Sequence, residues 1–340
     1  MSRTAVVIYN LGGPDSQEAV RPFLKNLFSD PMILRVPAPV RWFLSWLISW
    51  RRAPIAQEIY AEIGGRSPIL PETEKQAAAL QTALGDDYRV FIAMRYWHPF
   101  ADAVARDVAD WNPDRVVLLP LYPQFSTTTT ESFTRIWYPA AKAAGLSVPT
   151  SEICCWPEAN GFIDTVAANT DAAIDTLPEG IPFRVLFSAH GLPKKIVDAG
   201  DPYAHQVERT AAAVLNRMKH KAVDHVVCYQ SRVGPLEWLQ PYTEGEIKRA
   251  GTEKRALVVV PVAFVSEHSE TLVELDIEYA ELARDAGVPE YARAPTAGAA
   301  DPFVQELAEL VRSAPETGTS AGGGICAAGF PDCPCRQEAA

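Results

Sequence analysis

The sequence predicts an α/β fold of the doubly wound type, arranged as two similar domains. Short runs rich in β-branched residues alternate with amphipathic segments along almost the whole chain, which is the pattern of strands followed by covering helices. Two of these runs, Val116–Leu119 and Leu257–Val260, are apolar throughout rather than at every second residue. Continuous apolar character is typical of parallel strands that are covered on both faces.

The same periodicities place individual elements along the chain. Strands are predicted near 4–11, 88–95, 115–121 and 148–154 in the first half, and near 183–188, 223–229, 256–262 and 289–293 in the second. Helices are predicted between the strands, for instance at 71–84, 160–176, 203–218 and 269–284.

The two halves repeat short segments in the same order, which favours two domains over a single wide sheet. Val6–Pro14 (VVIYNLGGP) is similar to Val185–Pro193 (VLFSAHGLP), and VVLLP at 116–120 is similar to LVVVP at 257–261. The predicted divisions are a first domain at 1–150, a second at 151–314 and a Gly-rich tail with a cysteine cluster at 315–340.

The first half carries an insertion. Its first two strands start 84 residues apart, against 41 residues in the second half, and the excess falls around residues 30–65. The insert is either a helix packed on its own domain or an apolar lip that faces a large flat ligand or a membrane surface. Its distinctive residues are Trp42, Phe43, Trp46, Leu47, Trp50, Arg51 and Arg52.

Composition limits the classes of function. The net charge of −11 over 340 residues leaves no basic surplus for nucleic-acid phosphates. The apolar stretch Val40–Trp50 is shorter than the roughly 20 residues of a membrane-spanning helix, and Met1–Thr4 leads into the first strand without a signal-peptide pattern. We therefore expect a cytoplasmic protein whose six cysteines are free, catalytic or metal-bound rather than paired.

Two predicted strand-end loops in the second half carry titratable residues. Sites of open α/β sheets lie beyond the carboxyl ends of strands; His190 follows one such strand, and the loop at 262–270, with His268, follows another. Carboxylates then recur every three or four residues, which predicts that all of them share one helix face. By themselves they indicate a solvated acidic face, whereas beside two histidines they favour cation delivery or proton removal. These carboxylates are Glu267, Glu270, Glu274, Glu278 and Glu281.

The loops together carry a specific resemblance. SAHGLP (188–193) and VPVAFVSEHSETLVELDIEY (260–279) resemble the paired signature of ferrochelatases. Further blocks resemble that family in the same order: NLGGP (10–14), QEIYAEIGGRSP (57–68), MRYWHP (94–99), LYPQFS (121–126) and YQSRVGPLEWLQP (229–241). The resemblance spans about residues 5 to 310 and implies two Rossmann-like domains of chelatase type that act on a porphyrin and Fe²⁺.

The resemblance also implies roles for individual residues. His190 faces the ring as proton acceptor or metal carrier, Glu270 opposes it, and Glu274 continues the acidic row. Further positions match those that bind the substrate: Leu11, Tyr96, Trp238 and Phe264 as pocket walls, Arg52, Tyr60 and Ser67 for the porphyrin propionates, Arg95 on the side from which the metal enters, and His268 beside the catalytic loop.

The cysteines of the tail resemble the [2Fe–2S] motif of bacterial ferrochelatases. Cys326, Cys333 and Cys335 form the cluster of the tail, and either Cys154 or Cys155 completes a set of four thiolates. Zinc binding and free thiols are the alternatives. The pattern departs from that of the animal enzymes, in which a cysteine stands at the position of Thr127.

Several alternatives remain open at this point. The substrate is either protoporphyrin IX, which the mostly apolar insert favours, or coproporphyrin III, which carries two more carboxylates. A non-catalytic tetrapyrrole carrier or redox sensor, and a chelatase for another metal such as cobalt, are competing hypotheses. The insert also predicts peripheral contact with the inner face of the membrane, and the protein is either a monomer or a homodimer.

Overall fold

The computed structural model describes residues 3–322, 326 and 329–335. Gly323 and Gly324 of the predicted Gly-rich tail, and its end at 336–340, lie outside the described residues. The strands of the described part are β1 (Thr4–Asn10), β2 (Tyr88–Met94), β3 (Arg115–Pro120), β4 (Thr150–Cys155), β5 (Phe183–His190), β6 (His225–Gln230), β7 (Ala256–Pro261), β8 (Tyr291–Arg293) and β9 (Gly318–Ala321).

Helices occupy most of the chain between the strands. They are α1 (Val20–Ser29), α2 (Ala38–Ala61), α3 (Ile69–Leu84), α4 (Ala101–Trp111), α5 (Thr130–Ala143), α6 (Asn160–Ile174), α7 (Lys194–Asp198), α8 (Tyr203–Arg217), α9 (Thr243–Thr252), α10 (Ser269–Leu272), α11 (Tyr279–Asp285) and α12 (Asp301–Ser313). A π-helical segment, Glu274–Glu278, joins α10 to α11. The eight predicted strands and the helices predicted at 71–84, 160–176 and 203–218 are confirmed to within two residues. The predicted helix at 269–284 is divided into α10, the π-helical segment and α11, and β9 was not predicted.

The strands form two sheets of the same internal order. One runs β2-β1-β3-β4-β9 and the other β6-β5-β7-β8, so β1 and β5 hold equivalent central places, as the repeated segments predict. The pairings of β1 with β2 and β3, and of β5 with β6 and β7, are parallel. Central strands of both sheets are buried along nearly their full length, which agrees with their continuous apolar sequences.

The chain divides into two compact units. The first contains Met1–Leu121, Ser126–Cys154 and Ala308–Ser320; the second contains Tyr122–Phe125, Cys155–Leu307 and Ala321–Ala340. The main change of unit near Cys154 lies close to the predicted boundary at 150. The end of α12 belongs to the first unit, because the Arg115 guanidinium donates to the carbonyls of Val311 and Ala314. The sequence pattern does not indicate that the chain passes back into the first unit after Leu307.

The insert at 30–65 forms the long helix α2 and the short segments on either side of it. Small side chains on one face of α2 are buried, at Ser45, Ser49 and Ala53, and their spacing of four residues is that of a single helix face. The aromatic side chains therefore project away from the unit: Trp42, Phe43, Trp46 and Trp50 are exposed. No helix among the described residues, α2 included, has the length and apolar character needed to span a bilayer.

Candidate active site

The site in the second unit begins at the carboxyl end of β5. His190 is the last residue of this strand, and its Nδ1–H donates to the Gly191 carbonyl oxygen at 2.6 Å. This contact turns Nε2 toward the Glu270 carboxylate, with 3.5 Å between Nε2 and Oε1. The two side chains that the sequence singles out are therefore neighbours, and both remain about one-third exposed.

The Glu270 carboxylate lies between two imidazoles. Its Oε2 contacts Nε2 of the buried His268 at 3.2 Å, while Oε1 faces His190. His268 is the N-cap of α10, and its backbone N–H donates to the Thr271 hydroxyl. The short helix α10 thus presents Glu270 in its first turn, where the helix dipole favours negative charge.

The pair is ionic. Burial opposes the charge on His190, but the adjacent Glu270 carboxylate and the Gly191 carbonyl outweigh it and raise the pKa of His190 to about 9. Burial likewise opposes the charge on Glu270, but His190 and His268 hold the pKa of this carboxyl far below its usual range. Near neutral pH these shifts favour a cationic imidazole beside an ionised carboxylate.

Glu274 is held one helical turn further on by uncharged donors. Gln230 Nε2 donates to its Oε2 at 3.0 Å, the Ser231 backbone N–H donates to Oε1 at 2.9 Å, and the Tyr279 hydroxyl donates to Oε1 at 2.9 Å. The Ser231 hydroxyl also donates to Oε2. Burial and repulsion from Glu270 nevertheless raise the pKa of Glu274, so the acid is poised to take up a proton.

The prediction that five carboxylates share one helix face is wrong in two respects. Glu267 precedes α10, and its carboxylate pairs with Arg293 at 2.9 Å. The π-helical segment that begins at Glu274 adds a residue to one turn, so Glu278 and Glu281 are displaced from the face that a regular α-helix predicts. Only Glu270 and Glu274 of the row belong to the site.

Sequence reasoning missed Gln230, Ser231 and Tyr203. Gln230 ends β6 and pairs in register with His190 across the sheet, which places its amide against both the Glu270 carbonyl and Glu274. The strand-end rule that selected His190 would also have found Gln230. Tyr203, at the start of α8, contacts the backbone of His190, and burial raises the pKa of this phenol well above its usual range.

Aromatic side chains border His190 and His268. The rings of His190 and Trp238 are 6.4 Å apart between centroids, and the rings of Phe264 and His268 are 4.6 Å apart. A Cβ on Gly191 would lie 3.1 Å from the Trp238 ring, so glycine at this position allows the indole to approach. The structure therefore brings these two predicted wall residues to the catalytic loop.

The predicted first-unit residues Arg95 and Tyr96 form a buried polar network. The Asp30 carboxylate pairs with the Arg95 guanidinium at 2.9 Å and accepts a hydrogen bond from the Tyr96 hydroxyl at 2.7 Å. Ser132 completes the network. Tyr96 is only 1% exposed, so its predicted place in a pocket wall requires this segment to open.

Leu11, Tyr60 and Tyr96 belong to one apolar cluster of the first unit. Arg52 lies on the exposed side of α2, whereas Tyr60 and Ser67 are buried. Ser67 is held against the NLGGP loop, where a Cβ on Gly13 would come within 2.4 Å of its hydroxyl oxygen. A propionate clamp made by all three polar residues therefore requires both hydroxyls to become accessible.

Four cysteines of the second unit are connected through short contacts. The buried Cys326 and Cys333 thiols are hydrogen-bonded to each other, which lowers the pKa of Cys326 to about 6 and raises that of Cys333. The Cys335 backbone amide contacts the Cys333 sulfur, and Gln206 contacts the sulfurs of both Cys155 and Cys326. Within the described ranges, no three Cys, His, Asp or Glu side chains are arranged to hold a single metal ion.

Comparison with known proteins gives consistent matches. The model of the ferrochelatase family matches residues 3–314. The ferrochelatase of Caulobacter vibrioides (strain NA1000 / CB15N) is 50% identical over 99% of both chains, and that of Phenylobacterium zucineum (strain HLK1) is 51% identical over 98% of both. Among solved structures, SirB from Bacillus subtilis with Fe³⁺ covers 92% of this chain and 95% of its own, with a TM-score of 0.52 and 10% identity. This structural similarity confirms the chelatase-type fold alone.

The ionic pair predicts a specific change in titration. Glu270→Gln replaces the carboxylate with a neutral amide and so removes the main interaction that stabilises the charged imidazole. Burial, which favours the neutral imidazole, then dominates, and the pKa of His190 should fall from about 9 by about 1 to 3 pH units. The measurement is NMR titration of the imidazole Cε1–H, assigned by its loss in a His190→Asn variant. Glu274→Gln is the matched control and should cause a smaller fall, and equal falls in both variants would contradict the pairing.

Proposed function

The chain belongs to the ferrochelatase family, and we propose that it inserts Fe²⁺ into protoporphyrin IX to give protohaem, the final step of haem synthesis. The observation that carries the proposal is the contact of His190 with Glu270, completed by His268, at the carboxyl end of the second sheet. A carrier of tetrapyrroles has no need for such a charged pair.

The arrangement of His190 and Glu270 suits both parts of the reaction, which are metal binding and proton removal. One Fe²⁺ replaces two pyrrole protons, so the site must bind a dication and take up protons at the same place. Glu270 supplies carboxylate oxygens to the metal, and His190, partly exposed, passes protons between the ring nitrogens and solvent. As Fe²⁺ approaches, its charge competes with the imidazole proton for Glu270 and so favours release of that proton.

Glu274 extends this site toward incoming iron. Its carboxylate is oriented by Gln230, Ser231 and Tyr279 rather than by a resident cation, so its position does not depend on metal. A second carboxylate next to Glu270 makes the local potential more negative, which concentrates a dication at the ring. Protons that leave the porphyrin also have an acceptor there, since the pKa of Glu274 is raised.

The ring must deform so that its nitrogens turn toward the metal. Trp238 is nearly buried, and its indole N–H donates to the Val233 carbonyl at 3.1 Å, so the indole is held in place beside His190. A fixed aromatic wall can press one side of the macrocycle out of plane. The mostly apolar sequence of the insert at 30–65 favours protoporphyrin IX over the more highly charged coproporphyrin III.

The catalytic assignment predicts that His190→Ala and Glu270→Gln each lower the rate of metal insertion by about 10²-fold or more, while porphyrin affinity changes little. The assay follows the loss of porphyrin fluorescence as Fe²⁺ is added anaerobically, and quenching of intrinsic tryptophan fluorescence reports porphyrin binding. His225→Ala, an exposed histidine of the same unit, is the matched control. Wild-type rates in both variants would contradict these roles of His190 and Glu270, whereas a wild-type protein that inserts metal no faster than a protein-free control would indicate a carrier.

We also propose that the tail cysteines hold a [2Fe–2S] cluster. The donor set fits: the sulfurs of Cys155, Cys326 and Cys333 are connected by the contacts described above, and the Cys335 backbone amide contacts the Cys333 sulfur. Thiolates are the usual ligands of such clusters. When bound, the cluster supplies a one-electron redox centre. The choice of Cys155 over Cys154 rests on strand geometry, because adjacent residues of β4 project to opposite faces and Cys155 is the one that approaches Gln206.

The ligand set predicts which substitutions remove the cluster. Cys333→Ser and Cys155→Ser should abolish the visible absorbance and the acid-labile sulfide of the purified protein. Cys154→Ser and Cys228→Ser should retain the absorbance and the sulfide. Cys154 projects to the face of β4 opposite Cys155, and Cys228 accepts a hydrogen bond from the Thr243 hydroxyl in the core of the second unit. A colourless wild-type protein with one equivalent of zinc would contradict the cluster.

We further propose that α2 attaches the protein peripherally to the cytoplasmic face of an anionic membrane. Its exposed Trp42, Phe43, Trp46 and Trp50 are the side chains that prefer the bilayer interface. Residues 38–57 include three arginines and no acidic residue, in a chain of net charge −11. Local positive charge beside exposed tryptophans is complementary to anionic headgroups.

The membrane proposal predicts that Trp42→Ser combined with Trp46→Ser weakens binding to vesicles of phosphatidylcholine and phosphatidylserine by at least about tenfold. Co-sedimentation measures the bound fraction, with vesicles of phosphatidylcholine alone for comparison. Leu236→Ser, which removes an exposed apolar side chain of the second unit, is the control. Unchanged binding of the double variant would exclude this face.

A further inference from the structure

Gln206 has a fully defined amide orientation. It lies in the first half of α8 and is entirely buried. Its Oε1 accepts a hydrogen bond from the Phe125 backbone N–H at 2.8 Å. A backbone N–H can only donate, so the amide cannot be turned round, and the NH₂ group must face the opposite side.

The NH₂ group of Gln206 faces two cysteine sulfurs. Gln206 Nε2 lies 3.1 Å from Cys326 Sγ and 3.5 Å from Cys155 Sγ, within the longer distances that sulfur acceptors allow. The group carries two N–H bonds, one for each sulfur. A buried amide whose donors both point to cysteine sulfur is poorly matched to neutral thiols, which are weak acceptors, and well matched to thiolates.

We infer that Gln206 is a positioning residue for the cluster, which orients Cys155 and Cys326 as ligands and raises the reduction potential of the bound centre. The inference rests on the proposed [2Fe–2S] cluster. Donation of N–H bonds to ligand sulfurs stabilises the reduced state, which carries one more negative charge. Gln206 joins a ligand from β4 to a ligand from the tail, so it also sets their separation.

Gln206→Leu tests this inference because it removes both donors and leaves an uncharged side chain of similar volume. At the midpoint potential of the wild-type holoprotein, the ratio of reduced to oxidised cluster should be about tenfold lower in the variant, a shift of about 59 mV for one electron. Spectroelectrochemistry under anaerobic conditions measures the ratio.

Gln124→Leu is the matched control. Gln124 is also a buried glutamine of the second unit, but its amide donates to the Thr210 hydroxyl at 2.9 Å and to the Val262 carbonyl at 3.0 Å. The Gln124→Leu variant should therefore have the reduction potential of the wild-type protein. Gln206→Glu, which replaces the donors with a carboxylate oxygen, should lower the potential further than Gln206→Leu.

The outcomes distinguish the role of Gln206 from the presence of the cluster. A lower ratio in Gln206→Leu than in Gln124→Leu, or loss of the cluster from Gln206→Leu with an unchanged melting temperature of the protein, supports the inference. Equal potentials in wild type, Gln206→Leu and Gln124→Leu overturn the role of Gln206 and leave the cluster intact. Absence of iron and labile sulfide in the wild-type protein overturns the cluster itself.

Discussion

The site depends on one carboxylate that lies between two imidazoles. Glu270 faces His190 on one side and His268 on the other. The contact with His190 arises because the parallel strands β5 and β7 end at the same edge of one sheet, whereas the contact with His268 is local to the start of α10. The backbone supports this arrangement, since the Gly191 carbonyl accepts the Nδ1–H of His190 and so turns Nε2 toward Glu270. Without Glu270, the pKa of the partly buried His190 would fall, and the loop would lose the carboxylate that is proposed to bind the metal ion.

The surroundings of this pair are built from neutral donors. Gln230, which is in register with His190, orients the Glu274 carboxylate together with Ser231 and Tyr279. The extra residue of the π-helical segment turns Glu274 and Tyr279 toward each other within one widened turn. Glu274 is thus oriented by hydrogen bonds from neutral groups, which reduces the reorganisation that cation binding requires. Helix α8 contacts both this site and the cysteines. Tyr203 contacts the His190 backbone, and Gln206, three residues further along the helix, contacts the cysteine sulfurs.

Much of this arrangement could be predicted from sequence. Continuous apolar runs identify the parallel strands, and motif resemblance selects His190 and Glu270, which the structure brings together. The predicted shared face of five carboxylates was wrong because regular spacing presumes a regular helix, and a π-helical turn depends on local packing that spacing does not encode. Burial of Tyr96 against Asp30 is likewise a product of long-range contacts. Gln206 was missed because its partners, Phe125 and two cysteines, are distant in sequence.

The central claim is that iron and protons exchange at the contact of His190 with Glu270. The most direct measurement is anomalous diffraction at the iron edge from crystals soaked anaerobically in Fe²⁺ without porphyrin. The account predicts a peak within coordination distance of the Glu270 carboxylate and on the side of His190 Nε2, lost in Glu270→Gln crystals. A peak that persists in that variant, or one that appears only at the exposed carboxylates beyond Glu274, would contradict it.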